Sequence, residues 1–447
     1  MTAMAGTRDA PLGQNGLMTI SWWFLIFAVW CALFTALALW PPRQPGFLTP
    51  LTFFASWLTS ELAAWHLVWQ LVVAIVFVSL GALGDWPGWV GLVVIVSSGV
   101  GLVAALVAAS RTDRIFESAL TEALGPGWRD GIDPGWTRPS SGVEWARLHS
   151  ISRPGRRHGI VRTRDVQYVD DGLRRHRLDV WRQEGVGPAA PVLLQIPGGG
   201  WMVGSKEQQA RPLMRRLAAS GWVCVPINYR LSPKATWPEH LVDCKLALKW
   251  IREHIAEYGG DPGYVVVTGG SAGGHLAAMM GLTVNQPELQ PGFEAVDTSV
   301  RAMVLFYGVF DFLDRYGFRG RSGAGFRRVA QRYILKADPE SQRELFALAS
   351  PLDQIHRDVA PALIVHGERD VLAPVEEARL FAERLRRESS RSPVVYVELP
   401  GAQHAFEMFA SIRGLHTSAA VDTFLAWLLS QDEKSSDTPT GAPPLPA

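Results

Sequence analysis

Three long runs without a charge dominate the first 110 residues and restrict what they can fold into. Residues 18–40, 62–83 and 86–109 hold no Asp, Glu, Lys or Arg, and His66 and Gln70 are polar interruptions in the second. Each run is about 22 residues long, and at about 1.5 Å rise per residue each can cross a hydrocarbon core of about 30 Å as a helix. Trp22, Trp23, Trp40, Trp65, Trp86 and Trp89 fall near the ends of the runs, where an indole keeps its ring in lipid and its N–H in water. A cleaved signal peptide is the competing reading of the first run, since Ala36-Leu37-Ala38 resembles a cleavage site. The run exceeds the usual apolar stretch of about 7–15 residues, however, and two more follow. A soluble helix bundle would need polar faces at helical spacing, which are missing.

Orientation follows from the arginines. Arg111, Arg114 and Arg129 come after the third run and Arg43 lies in the first loop, against Arg8 ahead of the first run and Asp85 in the second loop. Three crossings place the first loop and the rest of the chain on one side, and the positive-inside bias makes that side the cytoplasm. Over the whole chain the net charge is +1, which gives no global attraction to nucleic acid or another polyanion. Cys31, Cys224 and Cys244 sit in apolar surroundings with no metal-binding spacing, and read as small buried side chains.

The next 50 residues carry turn signals at Gly125-Pro126-Gly127, Asp133-Pro134-Gly135 and Arg153-Pro154-Gly155 and read as a connector. Its basic cluster, Arg153, Arg156, Arg157 and His158, is a solvated surface or a contact to anionic lipid. Beyond it, strands and helices alternate. Residues 166–169 and 178–181 flank Asp170-Asp171-Gly172 as a hairpin. Apolar strands follow at 192–196, 222–227, 264–268, 301–306, 362–365 and 394–399, with helices at 211–219, 240–258, 272–283, 376–387 and one ending near Leu429. Such alternation predicts a mainly parallel sheet covered by helices on both faces.

Gly269-Gly270-Ser271-Ala272-Gly273 joins the strand at 264–268 to a helix of small residues. A serine on such a turn exposes its hydroxyl, small neighbours let backbones approach, and the helix N-terminus faces developing negative charge. His404 follows the last strand and can take the serine proton near neutral pH. Asp370 follows the preceding strand, where a carboxylate can orient the imidazole. The chain order Ser, Asp, His suits a nucleophile on this architecture. His275, one turn after Ser271, reads as structural, and His366 and Glu368 as shaping their loop. The glycine-rich Pro197-Gly198-Gly199-Gly200-Trp201 follows a strand and can aim backbone N–H groups at an oxyanion.

With these motifs, residues 166–429 resemble the hormone-sensitive-lipase-like group of α/β-hydrolase esterases and lipases. Asn228-Tyr229-Arg230-Leu231-Ser232-Pro233, Trp237-Pro238 and Asp243 resemble that group's segment after the oxyanion loop. The resemblance implies an α/β-hydrolase fold, a Ser271–Asp370–His404 triad, and an oxyanion hole of the Gly199, Gly200 and Ala272 amides. It implies hydrolysis of a small-molecule or lipid ester through an acyl-enzyme, with no cofactor and no metal. Pro197 stands where the group has histidine, and Gly270 where it has an acid. An amidase or peptidase on the same fold, or a non-catalytic membrane scaffold, remains the alternative. Residues 307–352 are long for a loop after a strand and suggest a lid, whose Phe310, Phe312, Tyr316 and Phe318 would line an acyl pocket or simply pack. The expected organisation is a tail to residue 17, a membrane region at 18–110, a connector at 111–160, an α/β-hydrolase domain at 161–430 and a disordered tail at 431–447. Since every candidate catalytic residue lies beyond Arg147, a chain starting there is expected to be soluble, with a complete sheet and triad, and active on a short, water-soluble ester.

Overall fold

A computed structural model describes residues 18–42, 46–136, 159–389 and 392–437. Arg8, Arg43, the Arg153–His158 cluster and the last ten residues lie outside them.

Helices α1 (Ile20–Leu39), α3 (Ala63–Ser79) and α4 (Trp86–Ser110) form the N-terminal bundle. Helices α1 and α4 run side by side in the same direction, and α3 runs against them. The buried residues of α1 are Ser21, Phe24, Ala28, Cys31, Thr35 and Ala38, and those of α4 include Gly91, Ile95, Ser98, Leu102, Ala105 and Ala109. Both sets recur every three or four residues, so one stripe of each helix faces its neighbours. Apart from Phe24, Ile95 and Leu102 the stripe is of small residues, and hydrophobicity does not mark it, because the outer faces are equally apolar. A Cβ on Gly91 would lie 3.2 Å from the Leu25 backbone, and one on Gly101 would lie 2.7 Å from Thr35 Cγ2. Such close approach is how helices pack where lipid offers no hydrophobic drive. Thr35 Oγ1 and Ser98 Oγ are 2.8 Å apart, and the Ser98 hydroxyl donates to Gln70 Oε1 at 3.0 Å, tying the three helices together.

By length and composition α1 and α4 can each cross a membrane. The segment expected as a third crossing, 62–83, is helical only over Ala63–Ser79 and continues from α2 (Thr49–Glu61) through a bend of 86°. Helix α2 lies in what reads from sequence as the first loop, and it packs on the C-terminal domain. The expected connector differs too. Helix α5 (Thr112–Leu124) buries Phe116 and Leu120, and Trp128 follows in a short 3-10 turn. These side chains join the core beside the last strand and the last helix.

That core surrounds an eight-stranded sheet of order β1-β2-β4-β3-β5-β6-β7-β8. The strands are β1 (Ile160–Gln167), β2 (Arg177–Gln183), β3 (Ala190–Ile196), β4 (Val223–Pro226), β5 (Gly260–Gly270), β6 (Ala302–Phe306), β7 (Ala362–Gly367) and β8 (Val394–Leu399). β1 and β2 pair antiparallel, β2 meets β4 antiparallel, and every later pairing is parallel. All of β3 is buried, because both sheet faces are covered. Leu194 points to the face covered by α7 (Glu239–His254), α8 (Ala272–Leu282) and α11 (Val375–Glu388). Leu193 points to the other, covered by α6 (Arg211–Ala219), α12 (Ile412–Asp437), α5 and α2. Helix α12 outlasts the tail boundary expected at residue 431. Its last turns are held by distant partners, with Asp432 on Arg301 and Gln431 Nε2 donating to the Gly131 carbonyl at 3.3 Å.

Candidate active site

The parallel strands β5, β7 and β8 end on the same side of the sheet, and the three candidate catalytic side chains follow them. Ser271 joins β5 to α8 with φ 57° and ψ −122°, a strained conformation for a residue with a Cβ. Glycines make that turn possible. A Cβ on Gly273 would lie 2.2 Å from the Ile196 carbonyl oxygen, and one on Gly269 would lie 2.4 Å from Gly273. The Ser271 N–H donates to the Phe306 carbonyl at 3.0 Å, which anchors the turn to β6.

Asp370 follows β7. Its Oδ1 accepts the N–H groups of Leu372 and Ala373, each at 2.8 Å, and its Oδ2 lies 2.6 Å from His404 Nδ1 and 3.2 Å from His366 Nε2. Burial pushes this carboxyl up, but the positive charge available on His404 and hydrogen bonds from His366 and His404 outweigh it and hold it well below the usual carboxylate range. The acid is therefore ionised wherever the imidazole works. Glu368 accepts the Gly401 N–H at 2.9 Å and shapes the loop.

His404 is held from several directions. Its ring lies 4.4 Å from the Tyr307 ring and edge-on to Phe53 of α2 at 6.1 Å. Gln403 accepts the Val371 N–H at 2.9 Å and donates to Ser56 Oγ at 2.8 Å, so one buried amide links the Asp370 loop, the His404 loop and α2. Trp57 Nε1 donates to the Ala405 carbonyl at 2.9 Å. At the end of α2, Glu61 pairs with buried Arg413 and accepts from Ser411 Oγ at 2.8 Å. These α2 residues are invisible as site residues in the sequence. The available signal was Glu61 itself, a carboxylate beside an apolar run, which demands a partner.

The glycine-rich loop lies against the nucleophile. A Cβ on Gly198 would fall 3.2 Å from Ser271 Cβ, and Gly199 and Gly200 take φ 122° and 58°. Pro197 removes the histidine brace of related loops, and two other groups hold this one. Gln209 Oε1 accepts the Gly198 N–H at 2.7 Å, and Tyr229 Oη donates to the Pro197 carbonyl at 3.0 Å. Trp201 Nε1 donates to His275 Nδ1 at 3.2 Å, and His275 Nε2 donates to the Ala349 carbonyl at 2.8 Å. Burial lowers His275 to about 3, so it is a neutral strut. The acid expected before Ser271 is likewise replaced in space. A Cβ at Gly270 would lie 2.6 Å from Tyr307 Oη, and that hydroxyl donates to buried Glu407. Burial raises Glu407 to about 7.

Ser271, Asp370, His404, Gly199 and Gly200 all line one cavity of about 1770 Å³. Ala272, the third expected oxyanion residue, is the first residue of α8 and fully buried behind it. Of the four aromatics expected in a lid, Phe318 lines the cavity. Phe310 stacks on Phe381 at 4.1 Å, Phe312 packs on Trp201, and Tyr316 stacks on Phe318. The lid segment reaches the cavity chiefly through α9 (Gly320–Val329), and the following α10 (Arg343–Leu348) does not line it. Among the described residues no cluster of three or more His, Cys, Asp or Glu could hold a metal ion.

Strand order, elbow and chain order of the candidate residues define an α/β hydrolase. Comparison with known proteins narrows this. The BD-FAE family model matches residues 178–385. The "probable carboxylic ester hydrolase LipM" of Mycobacterium tuberculosis is 41% identical over 76% of this chain and 78% of its own. Esterase LipQ of the same organism is 40% identical over 71% of this chain and 75% of its own. A truncated carbohydrate esterase from gut microbiota superposes with a TM-score of 0.50 at 21% identity, over 61% of this chain and all of that one, a likeness of fold. The chain belongs to the hormone-sensitive-lipase-like esterase family of the α/β hydrolases.

Proposed function

We propose that this chain is a membrane-anchored serine hydrolase that cleaves carboxylic esters, with Ser271 as nucleophile, His404 as base and Asp370 as the orienting acid. The observation that carries the assignment is the 2.6 Å contact of His404 Nδ1 with Asp370 Oδ2 in the cavity that Ser271 lines. Family membership supports the ester as substrate.

His404 Nε2 takes the Ser271 proton as Oγ attacks the ester carbonyl, and ionised Asp370 stabilises the imidazolium. The tetrahedral oxygen faces the N–H groups of Gly199, Gly200 and Ala272, fixed in direction before the reaction begins. The imidazolium returns its proton to the departing alcohol as the ester C–O bond breaks. Water, deprotonated by the same imidazole, then releases the acid from Ser271. Ser271→Ala should abolish labelling by a fluorophosphonate probe and lower ester turnover by on the order of 10⁶. Normal labelling of the variant would show that the nucleophile lies elsewhere.

The anchor is a three-crossing bundle of α1, α3 and α4, with the catalytic domain on the cytoplasmic side. Arg111, Arg114 and Arg129, all on the domain side of α4, support this orientation. Protease digestion of inside-out against right-side-out vesicles tests it. Cleavage of the hydrolase domain in right-side-out vesicles would reverse the assignment.

A further inference from the structure

We infer that the site takes an ester with a long hydrocarbon chain, drawn sideways from the bilayer through a passage between the membrane helices and the hydrolase domain. The inference rests on the esterase reading and adds the substrate class and its route.

Two observations carry it. First, the cavity that holds Ser271 does not end at the catalytic residues. Its wall continues to Leu39 and Trp40 at the end of α1, to Phe47 and Phe54 around the start of α2, and to Val329 of α9. Pockets for small ligands span about 300–1,000 Å³, and this one is about 1770 Å³. An acetyl or propionyl group would leave most of it empty. Leu39 belongs to a helix that can cross a membrane, so the far wall lies where that helix leaves lipid.

Second, α2 is apolar on two faces. Phe53 and Trp57 pack on the His404 loop, while Leu51, Phe54 and Leu58 are exposed on the other side. Trp40 is 71% exposed and Phe47 91% exposed at the same end of the molecule. The 86° bend from α3 turns α2 out of the crossing direction. A helix lying across the crossing direction with an exposed apolar face suits the plane of the membrane interface. The mouth of the passage therefore opens at the depth where acyl chains begin. A long-chain ester has negligible concentration in water, and leaving the bilayer through water would expose its whole chain. A passage whose α1 and α2 side is lined by Leu39, Trp40, Phe47, Phe53, Phe54 and Trp57 leads from that interface to Ser271 and spares the chain the exposure.

The test uses the full chain in phosphatidylcholine vesicles and two esters of one fluorophore, 4-methylumbelliferyl acetate and 4-methylumbelliferyl oleate. The oleate is placed either in the same vesicles as the protein or in separate ones. Lateral supply gives at least a tenfold faster oleate hydrolysis in the shared bilayer than across vesicles. Phe54→Arg places a guanidinium in the passage and should lower the oleate-to-acetate rate ratio at least fivefold. Equal oleate rates in shared and separate vesicles, or an unchanged ratio in Phe54→Arg, would overturn the lateral route while acetate hydrolysis upholds the esterase. Failure of the wild-type protein on both esters would overturn the esterase reading itself.

Discussion

Helices α1 and α2 are neighbours in the chain, both rich in Trp and Phe, and neither has a basic residue. Their fates are opposite. Helix α1 leaves Trp22, Trp23 and Trp30 exposed and buries a stripe of mostly small residues, Ser21, Ala28, Cys31, Thr35 and Ala38 with Phe24. Helix α2 buries Phe53 and Trp57 and, with them, Ser56, Ser60 and Glu61. Hydrophobicity does not separate the two. What separates them is where the polar atoms find partners. Lipid can surround any apolar face, but a buried carboxylate needs a charge and hydrogen-bond donors. Glu61 finds Arg413 and Ser411, Ser56 finds Gln403, and the Trp57 indole finds a carbonyl in the His404 loop. An N-terminal region that reads as an anchor therefore also builds one wall of the active site.

The largest effect expected from this contrast is on a chain that begins at Arg147. It retains every strand and all three proposed catalytic residues, yet it lacks Phe53, Trp57, Phe116, Leu120 and Trp128, all buried in the core beside β8 and α12. Removing one large core side chain costs about 3–5 kcal/mol, against a total stability of about 5–15 kcal/mol for a domain. The truncated chain should aggregate or elute as an unfolded species, with no turnover of a soluble ester. A monomeric, cooperatively melting product with full activity would reduce α2 and α5 to a tether.

A single substitution probes the same contact more gently. Glu61→Ala leaves the Arg413 guanidinium buried without its carboxylate and should cost about 3–5 kcal/mol. Thermal unfolding of the detergent-solubilised full chain measures this, and adding Arg413→Leu should restore part of the loss. A shift no larger than that of an exposed pair would mean that α2 is not docked. On the bundle side the corresponding change is smaller. Gln70→Leu breaks the link to Ser98 at a cost of about 0.6 kcal/mol, the average measured for hydrogen bonds between membrane helices, and at most about 1.7 kcal/mol. Ester turnover should be unchanged, and a loss of turnover would show that the bundle packing reaches the site.

The smallest effect is a slope against pH. Glu407 is raised by burial from 4.5 to about 7, and Glu377 likewise. An acid raised in the fold keeps its proton where the unfolded chain has lost it. Its contribution is therefore full below about pH 4.5 and is lost as pH rises through about 7. Asp370, held low, contributes in the opposite sense, at acid pH. His275 and His240, lowered by burial, contribute in the opposite sense up to about pH 6.5, so the readout is the difference between two proteins: between about pH 5 and 7 the melting temperature of Glu407→Gln should fall less, or rise more, than that of wild type. Identical slopes would show that Glu407 does not titrate in that window.

The sequence by itself determined the ground plan and the family, and it carries the proposed chemistry. The pattern of G-x-S-x-G between strand and helix is legible because the elbow is local, set by glycines within two residues of Ser271. Asp370 and His404 are legible because each directly follows an apolar strand, and parallel strands end on one side. The uncharged runs mark helices because their length and lack of charge leave little else. The braces were not legible. Gln209 for Pro197, Tyr307 for the acid missing at Gly270, Gln403 for the loops of Asp370 and His404 and Glu61 for Arg413 are contacts between segments far apart in the chain; Glu61 beside an apolar run announces that it needs a partner, but nothing in the sequence says which residue supplies it. Helix α5 and the end of α12 were missed for the same reason, since a short amphipathic or polar helix is marginal alone and forms here on the surface that receives it. Tertiary structure alone decided that α2 bends away from α3 to sit beside His404, because only a folded partner offers a guanidinium at the place where its carboxylate must be buried.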